Sequence, residues 1–458
     1  MTIHLSNTAP PSKASKASKA SKASKASKAK ASTTSIPAQK VLIITYYWPP
    51  SGGAGVQRWL KFTKYLPEYG WEPVVLTVDP AYAAYPAFDN TLEKELPAGL
   101  KIYKTKARDW YKIYAKDKSR IPSSGFANNR ENSFRSRLSC FIRGNFFIPD
   151  PRRGWNRYAY RKAAELIENE EIKHIITTSP PHSTQLIGLK LKKLFPEIKW
   201  IADFRDPWTD IYYYGKFYGT LPAKWYDRKL EKKVLNNADK IITVGNGLAK
   251  LLSGKISKKT ADITVITNGY DEEDFKELTS DRKDDNFIFT YVGTISDNYP
   301  IETFIKVISE LKKIKGKEVL FRIVGHISKE HEILINKQLE EKNRSFIPYS
   351  DHRASIKYML NSDVLLLVIP DDPKNELIIT GKLFEYLRTG NPVLCLGPPK
   401  GDAANILALQ QIPVFSYDDE KGISAYITNL PEKTGLKSGI EKWERSNITR
   451  NLANCLEK

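Results

Sequence analysis

Short runs of β-branched and apolar residues alternate with longer amphipathic stretches from about residue 41 almost to the C-terminus. A strand buried on both faces reads as a near-continuous apolar run, and its parallel neighbour is reached only through a crossover helix. The pattern therefore predicts parallel sheets clothed in helices. A first series has strands at 41–47, 73–78, 101–105, 174–178, 199–203, 240–244 and 264–266, with helices over 56–69, 157–169, 183–195 and 223–237. A second has strands at 287–293, 319–324, 364–368 and 392–396 and short ones near Phe346 and Val414, with helices over 301–314, 353–360 and 382–388. A chain of 458 residues also exceeds what one core usually organises, so two α/β domains are expected.

The boundary between them is read at 271–286, where Asp, Glu and Lys accumulate as in a linker. Residues 1–39 form a tail dominated by a Ser-Lys-Ala repeat with nothing large enough to pack. It reads either as a repeat expansion without a dedicated role or as a basic arm for an anionic surface. The first Rossmann-like domain then covers 40–275 and the second 286–437, and a final helix within 438–458 packs back on the first domain.

Cys140, Cys395 and Cys455 lie far apart with no CxxC pair, and the six histidines show no zinc-ligand spacing. A metal-free, cytosolic protein is expected. The longest apolar runs are about eight residues, well short of the ~20 that a spanning helix requires, and the N-terminus lacks the apolar core of a secretory signal. The net charge of +20 is uneven: residues 1–40 hold eight lysines and no acid, and residues 101–162 hold 17 Lys or Arg against four Asp or Glu. In the second stretch the cations are interleaved with Trp110, Tyr111, Tyr114, Phe126, Phe134, Phe141, Phe146, Phe147 and Trp155. Such a mixture suits an anionic bilayer surface. Stacking on single strands uses the same residue types, and an insertion folded over a cleft reads the same way. The partner expected is a membrane surface, with no specific nucleic acid.

Three segments carry chemistry. Gly52, Gly53 and Gly55 lie between the first strand and its helix, where glycine allows close backbone approach and the helix N-terminus offers N–H groups to an anion. A plain tight turn reads the same way, but neither a GxGxxG fingerprint nor a P-loop lysine is present. In TGKLFEYLRTGNPV (380–393) the helix starts with Lys382, a cation at the end where the helix itself favours an anion. A diphosphate would accept from Lys382 and from the backbone N–H groups of Thr380, Gly381 and Lys382, while Glu385, one turn on, accepts from ribose hydroxyls. Finally, TTSPPHS (177–183) and ADFRDPWTD (202–210) follow strand carboxyl ends, where open α/β sheets place ligands. Asp206 can orient or deprotonate an acceptor hydroxyl, and Arg205 can pair with a donor or acceptor phosphate. A structural Asp203–Arg205 ion pair is the alternative. His182 is a further acceptor-side candidate, with a structural role equally open.

The 380–393 string resembles the C-terminal signature of GT-B glycosyltransferases, specifically retaining family 4. The glycine loop at Gly52 and Gly53, ITNGYDEEDF (266–275) and FTYVGTI (289–295) are similar to that family as well. The resemblance implies an α/β GT-B architecture, two Rossmann-like domains facing across a cleft, the first for the acceptor and the second for a nucleotide-sugar donor. It implies donor binding by Gly52, Gly53, Gly293, Thr380, Gly381, Lys382, Leu383 and Glu385; the catalytic set read from the residues is Asp206, Arg205, His182 and Lys382, with Arg205 and Asp206 standing where many relatives have a His. No metal and no cofactor are expected, the nucleotide sugar being a co-substrate, and the leaving phosphate takes the acceptor proton. The function implied is retaining transfer to a glycan or lipid-linked acceptor in bacterial surface polysaccharide or glycolipid biosynthesis, in the cytoplasm or peripheral on the inner membrane. A non-catalytic basic membrane- or nucleic-acid-binding protein on the same fold, and a nucleotide-sugar epimerase, are the alternatives. Two positions depart from the family. Its first donor-motif glutamate, eight residues before Glu385, is Leu377, with Glu376 one residue out of register, and its arginine after the first strand of the second domain is missing from VGTISDNYP.

Overall fold

The computed structural model describes residues 38–86, 88–110, 134–257, 262–282, 285–430, 435 and 438–457. The Ser-Lys-Ala repeat, Tyr111, Tyr114 and Phe126 lie outside the described residues. Seven parallel strands form the first sheet in the order β3-β2-β1-β4-β5-β6-β7. They are β1 (Gln39–Ile44), β2 (Trp71–Val78), β3 (Lys101–Thr105), β4 (His174–Ser179), β5 (Lys199–Phe204), β6 (Lys240–Thr243) and β7 (Asp262–Val265). Val41, Leu42, Ile43 and Ile44 are all 0% exposed, as a central strand with helices on both faces requires. The helices here are α1 (Ala54–Tyr65), α2 (Phe134–Phe146), α3 (Asn156–Asn169), α4 (Gln185–Leu194), α5 (Leu221–Asn237), α6 (Asn246–Ser253) and the single turn α7 (Glu272–Phe275). The basic stretch 101–162 is therefore not one insertion: its ends are the edge strand β3 and the start of α3, with Trp155 buried in the core.

The second sheet runs β11-β10-β8-β12-β13-β14, from β8 (Phe287–Ile295), β10 (Lys317–Ile327), β11 (Arg344–Ile347), β12 (Val364–Val368), β13 (Val393–Leu396) and β14 (Val414–Phe415). Its helices are α8 (Glu302–Leu311), α9 (Lys329–Gln338), α10 (His352–Leu360), α11 (Lys382–Thr389), α12 (Asp402–Ala408) and α13 (Glu420–Thr428). The helix expected over 301–314 stops at Leu311. Positive φ at Lys312, Lys315 and Gly316 turns the chain instead, and β9 (Lys313–Ile314) pairs antiparallel with the start of β10. Five helices and the single turn α7 were not anticipated: α2, α6, α9, α12 and α13. In each sheet the strand order reverses beside its first strand, between β1 and β4 and between β8 and β12. Open α/β sheets bind ligands at such switch points.

Two features join the sheets into one compact unit. After Glu441–Trp443, a 3-10 turn where continuous helix was expected, α14 (Arg445–Glu457) returns to the first sheet. Its Ile448, Leu452, Ala453 and Leu456 complete a core with Val41, Ile43, Trp59 and Leu60. The expected linker is also less solvated than its composition suggests. Asp271 is 2% exposed; it accepts from Tyr65 Oη at 2.6 Å and pairs with Lys61 at 2.8 Å and Lys64 at 2.9 Å, all on α1. Replacing Leu452, which is 0% exposed, with Ala leaves a cavity under α14. The expected loss is about 2–5 kcal/mol, read as a lower urea midpoint at an unchanged m-value.

Candidate active site

A cleft of about 620 Å³ opens between the carboxyl ends of the two sheets. Backbone geometry brings its walls close. Gly53 sits at φ 109°, Gly293 at φ 120° and Gly325 at φ 131°, where a side chain would be strained. A Cβ on Gly293 would lie 2.8 Å from Lys382 Nζ, and one on Gly325 would lie 2.3 Å from the Gly293 carbonyl oxygen. The ends of β8 and β10 thus present bare backbone beside the lysine. On the opposite wall, a Cβ on Gly55 would lie 2.1 Å from Arg205 Nη1, so the glycine lets the guanidinium rest on the loop.

On the second-domain side, Gly293, Gly381, Lys382 and Glu385 all face the cleft, opposite Gly52 and Gly53. Lys382 Nζ donates to Tyr291 Oη at 2.7 Å. Burial pulls the Lys382 pKa down to about 7, with Glu385 the opposing charge. An arriving anion would restore its full charge. Glu385 accepts from His352 Nε2 at 2.9 Å. Burial alone would lower the His352 pKa, but the charge and hydrogen bond of Glu385 raise it to about 9. Burial works against the Glu385 charge, yet His352, with Arg445 and Lys382 beyond it, holds its carboxyl below the ordinary value. Two of the expected donor residues are placed elsewhere. Leu383 is 0% exposed in the core beneath α11, and Thr380 is not among the residues that line the cleft, its Oγ1 buried without a hydrogen-bond partner. Leu383 therefore sets the position of the helix start. Sequence reasoning missed His352, Tyr291, Gly325 and Arg445. Only Gly325 had a signal: Val-Gly stands two residues before the end of both β8 and β10.

His182, Arg205 and Asp206 share the first-domain wall. The Asp203–Arg205 ion pair does not form. Asp203 is held by Arg58 at 3.3 Å, Trp59 Nε1 at 2.8 Å and Thr178 Oγ1 at 2.7 Å. Arg205 instead donates from Nε and Nη2 to the carbonyl oxygens of Ser179 and Pro180. Burial raises the Asp206 pKa against the pull of Arg205, making it a stronger base than an ordinary carboxylate. His182 stacks on Trp208 at 5.2 Å. Burial, then Arg205 and Lys255, push its pKa to about 3. It is thus a neutral hydrogen-bonding partner and a poor base. Of the two, Asp206 suits proton handling.

Among the described residues one set has metal-ligand geometry, Glu95, Asp274 and His352. Lys61 already neutralises it, at 2.9 Å from Glu95 and 2.6 Å from Asp274, so the set works as an ion-pair network.

Residues 123–274 match the model of Glycosyltransferase Family 4. Sucrose-phosphate synthase from Thermosynechococcus elongatus superposes with a TM-score of 0.56 at 14% identity, over 91% of this chain and 94% of that one. The α,α-trehalose-phosphate synthase (UDP-forming) of Burkholderia xenovorans, in complex with glucose-6-phosphate, gives 0.59 at 10% identity over 92% and 100%. A lipopolysaccharide outer core galactosyltransferase gives 0.53 at 11% over 92% and 99%. The fold is that of the GT-B glycosyltransferases. A search of curated protein sequences found no match.

In this GT-B chain the departure at Leu377 has a structural use. The Leu377 side chain covers the N-terminus of α6, where a Cβ on Gly247 would meet its Cδ2 at 2.5 Å, and Asp402 accepts from the Gly247 N–H at 2.9 Å. Glu376 beside it is exposed. Neither residue lines the cleft, so this position joins the two domains.

The His352–Glu385 pair makes stability depend on pH. The folded-state pKa of His352, about 9, lies above its ordinary 6.5. Its contribution is therefore complete below about pH 6.5 and is lost as pH rises through 9. At about 1.4 kcal/mol per pKa unit the upper bound is ~3 kcal/mol. Denaturation of wild type and His352→Gln between pH 6 and 10 should give a stability difference that shrinks across this window.

Proposed function

We propose that the protein is a retaining, metal-independent glycosyltransferase that moves a sugar from a nucleotide-sugar donor to a glycan or lipid-linked acceptor. The observation that carries this reading is the helix start at Gly381–Lys382, with Glu385 one turn on, facing the Gly52–Gly53 loop across the cleft. Lys382, whose charge is disfavoured by burial in the free protein, gains its full charge as the leaving diphosphate develops its own. Oriented N–H groups at the α11 N-terminus add to this, so stabilisation grows toward the transition state. Glu385, aligned by His352, accepts from the ribose. Asp206 orients the acceptor hydroxyl, Arg205 pairs with a phosphate, and the leaving phosphate takes the proton. With protein cations at the diphosphate, no metal is required there. A panel of UDP-, GDP- and ADP-sugars with EDTA present tests this. Wild type should turn over at least one donor, and Lys382→Ala and Glu385→Ala should each fall by about 10²–10³-fold. Wild-type rates in both variants would overturn the site.

The surface beside the acceptor wall supports a membrane-borne acceptor. Asn145, at the end of α2, donates to the Tyr218 carbonyl at 3.2 Å and accepts from the Thr220 N–H at 2.8 Å. This joins α2 to the start of α5. The combined face exposes Leu138, Phe141, Phe146, Trp225 and Leu221, the last 84% exposed. On α5 both acids, Asp227 and Glu231, are buried, so Arg228, Lys229 and Lys232 make its outer face cationic. Exposed aliphatic and aromatic groups among cations fit an anionic bilayer better than a nucleic acid, at the inner membrane face. Vesicles containing phosphatidylglycerol should sediment the protein and pure phosphatidylcholine should not. Leu221→Ser/Trp225→Ala should weaken sedimentation without changing turnover of a soluble acceptor. Equal sedimentation by both lipids, or tight binding to single-stranded DNA alone, would remove this part of the proposal.

A further inference from the structure

Arg445 opens α14, the helix that returns to the first sheet, yet its side chain lines the cleft. It is 5% exposed. Among the described residues its guanidinium makes neither a hydrogen bond nor an ion pair, and Nη1 is buried without any acceptor. A buried arginine normally has its donors satisfied, since an unmet buried charge costs several kcal/mol. The nearby acids do not meet it. Glu385 is taken by His352, and Asp271 and Asp274 are taken by Lys61. Their charges attract the guanidinium at a distance, while Arg58, committed to Asp203 and the Thr267 carbonyl, repels it. Its main chain is anchored, with the Arg445 N–H donating to the Tyr270 carbonyl at 2.8 Å. The side chain is thus a desolvated cation that lines the cleft and acts on the Glu385 carboxylate without bonding to it.

We infer that Arg445 binds the diphosphate of the donor nucleotide, supplying from the C-terminal helix the arginine absent after β8. The inference rests on the donor reading given above. Arg445 and Lys382 line the same cleft and both act on the Glu385 carboxylate, so the two cations flank one point of the donor wall. Lys382 alone leaves a diphosphate under-neutralised, and a planar guanidinium offers paired donors that suit phosphate oxygens. Because α14 also closes the first-domain core, a diphosphate held by both Lys382 and Arg445 would couple donor binding to the crossover between the domains.

Calorimetry on the full chain tests this, with UDP, GDP and ADP and the corresponding monophosphates and nucleosides as probes. For the nucleotide that wild type prefers, Arg445→Met and Arg445→Gln should weaken diphosphate affinity about 10- to 100-fold. Nucleoside affinity should change less than about 3-fold, and Arg445→Lys should recover part of the loss. The free Arg445→Met protein should melt no lower than wild type, because an unpaired buried charge has been removed. Unchanged diphosphate affinity in both variants would overturn the inference alone. So would a loss shared equally by diphosphate and nucleoside together with a lower melting temperature, which would mark a structural role. Wild type that binds no nucleoside diphosphate would overturn the donor reading and this inference with it.

Discussion

The buried carboxylate of Asp271 determines where the chain leaves its first sheet, and the rest of the molecule is built around that exit. It is held by Tyr65, Lys61 and Lys64 of α1. Burial opposes its charge, but Lys61 and the hydrogen bonds hold its carboxyl far below the ordinary range. Breaking such a cluster by removing one member typically costs about 3–5 kcal/mol, because the remaining charges stay buried. With the exit pinned to α1 and α14 pinned to the same helix from the other side, the second sheet is delivered with its strand ends facing those of the first.

From that arrangement follows a cleft whose walls do different work. The second-domain wall combines bare glycine backbone, a helix N-terminus and cations whose burial lowers their charge preference until an anion arrives. The first-domain wall combines a carboxylate made more basic by burial with a histidine kept neutral by it. Burial is the common cause, and it acts in opposite senses on acids and bases. On the proposed function, the second-domain wall would receive a negatively charged leaving group and the first-domain wall an acceptor hydroxyl.

Most strands, and the longer helices apart from α2, were readable because buried parallel strands cannot disguise their apolar runs. The helices α6, α9, α12 and α13 span only two to three turns, which leaves few repeats of an apolar period to read, and α2 lies in a stretch whose cations and aromatics were read for their charge. The β9 hairpin was hidden for a different reason: Lys312 and Lys315 adopt positive φ, which no residue preference announces. The Gly381, Lys382 and Glu385 grouping was readable because its residues sit within one helical turn. His352 and Arg445 were not, since His352 reaches Glu385, and Arg445 reaches the same cleft, from segments remote in sequence.

Sequence by itself determined the two β/α series, the helix that starts at Lys382 and the glycines that let backbone approach it, because each depends on neighbours a few residues apart. Tertiary structure alone decided the rest. It gave Leu377 to the domain contact, Asp203 to Arg58 and not Arg205, and a C-terminal arginine to the cleft. Each of these outcomes is settled by which buried charge or apolar surface finds a partner, and the partners come from distant parts of the chain.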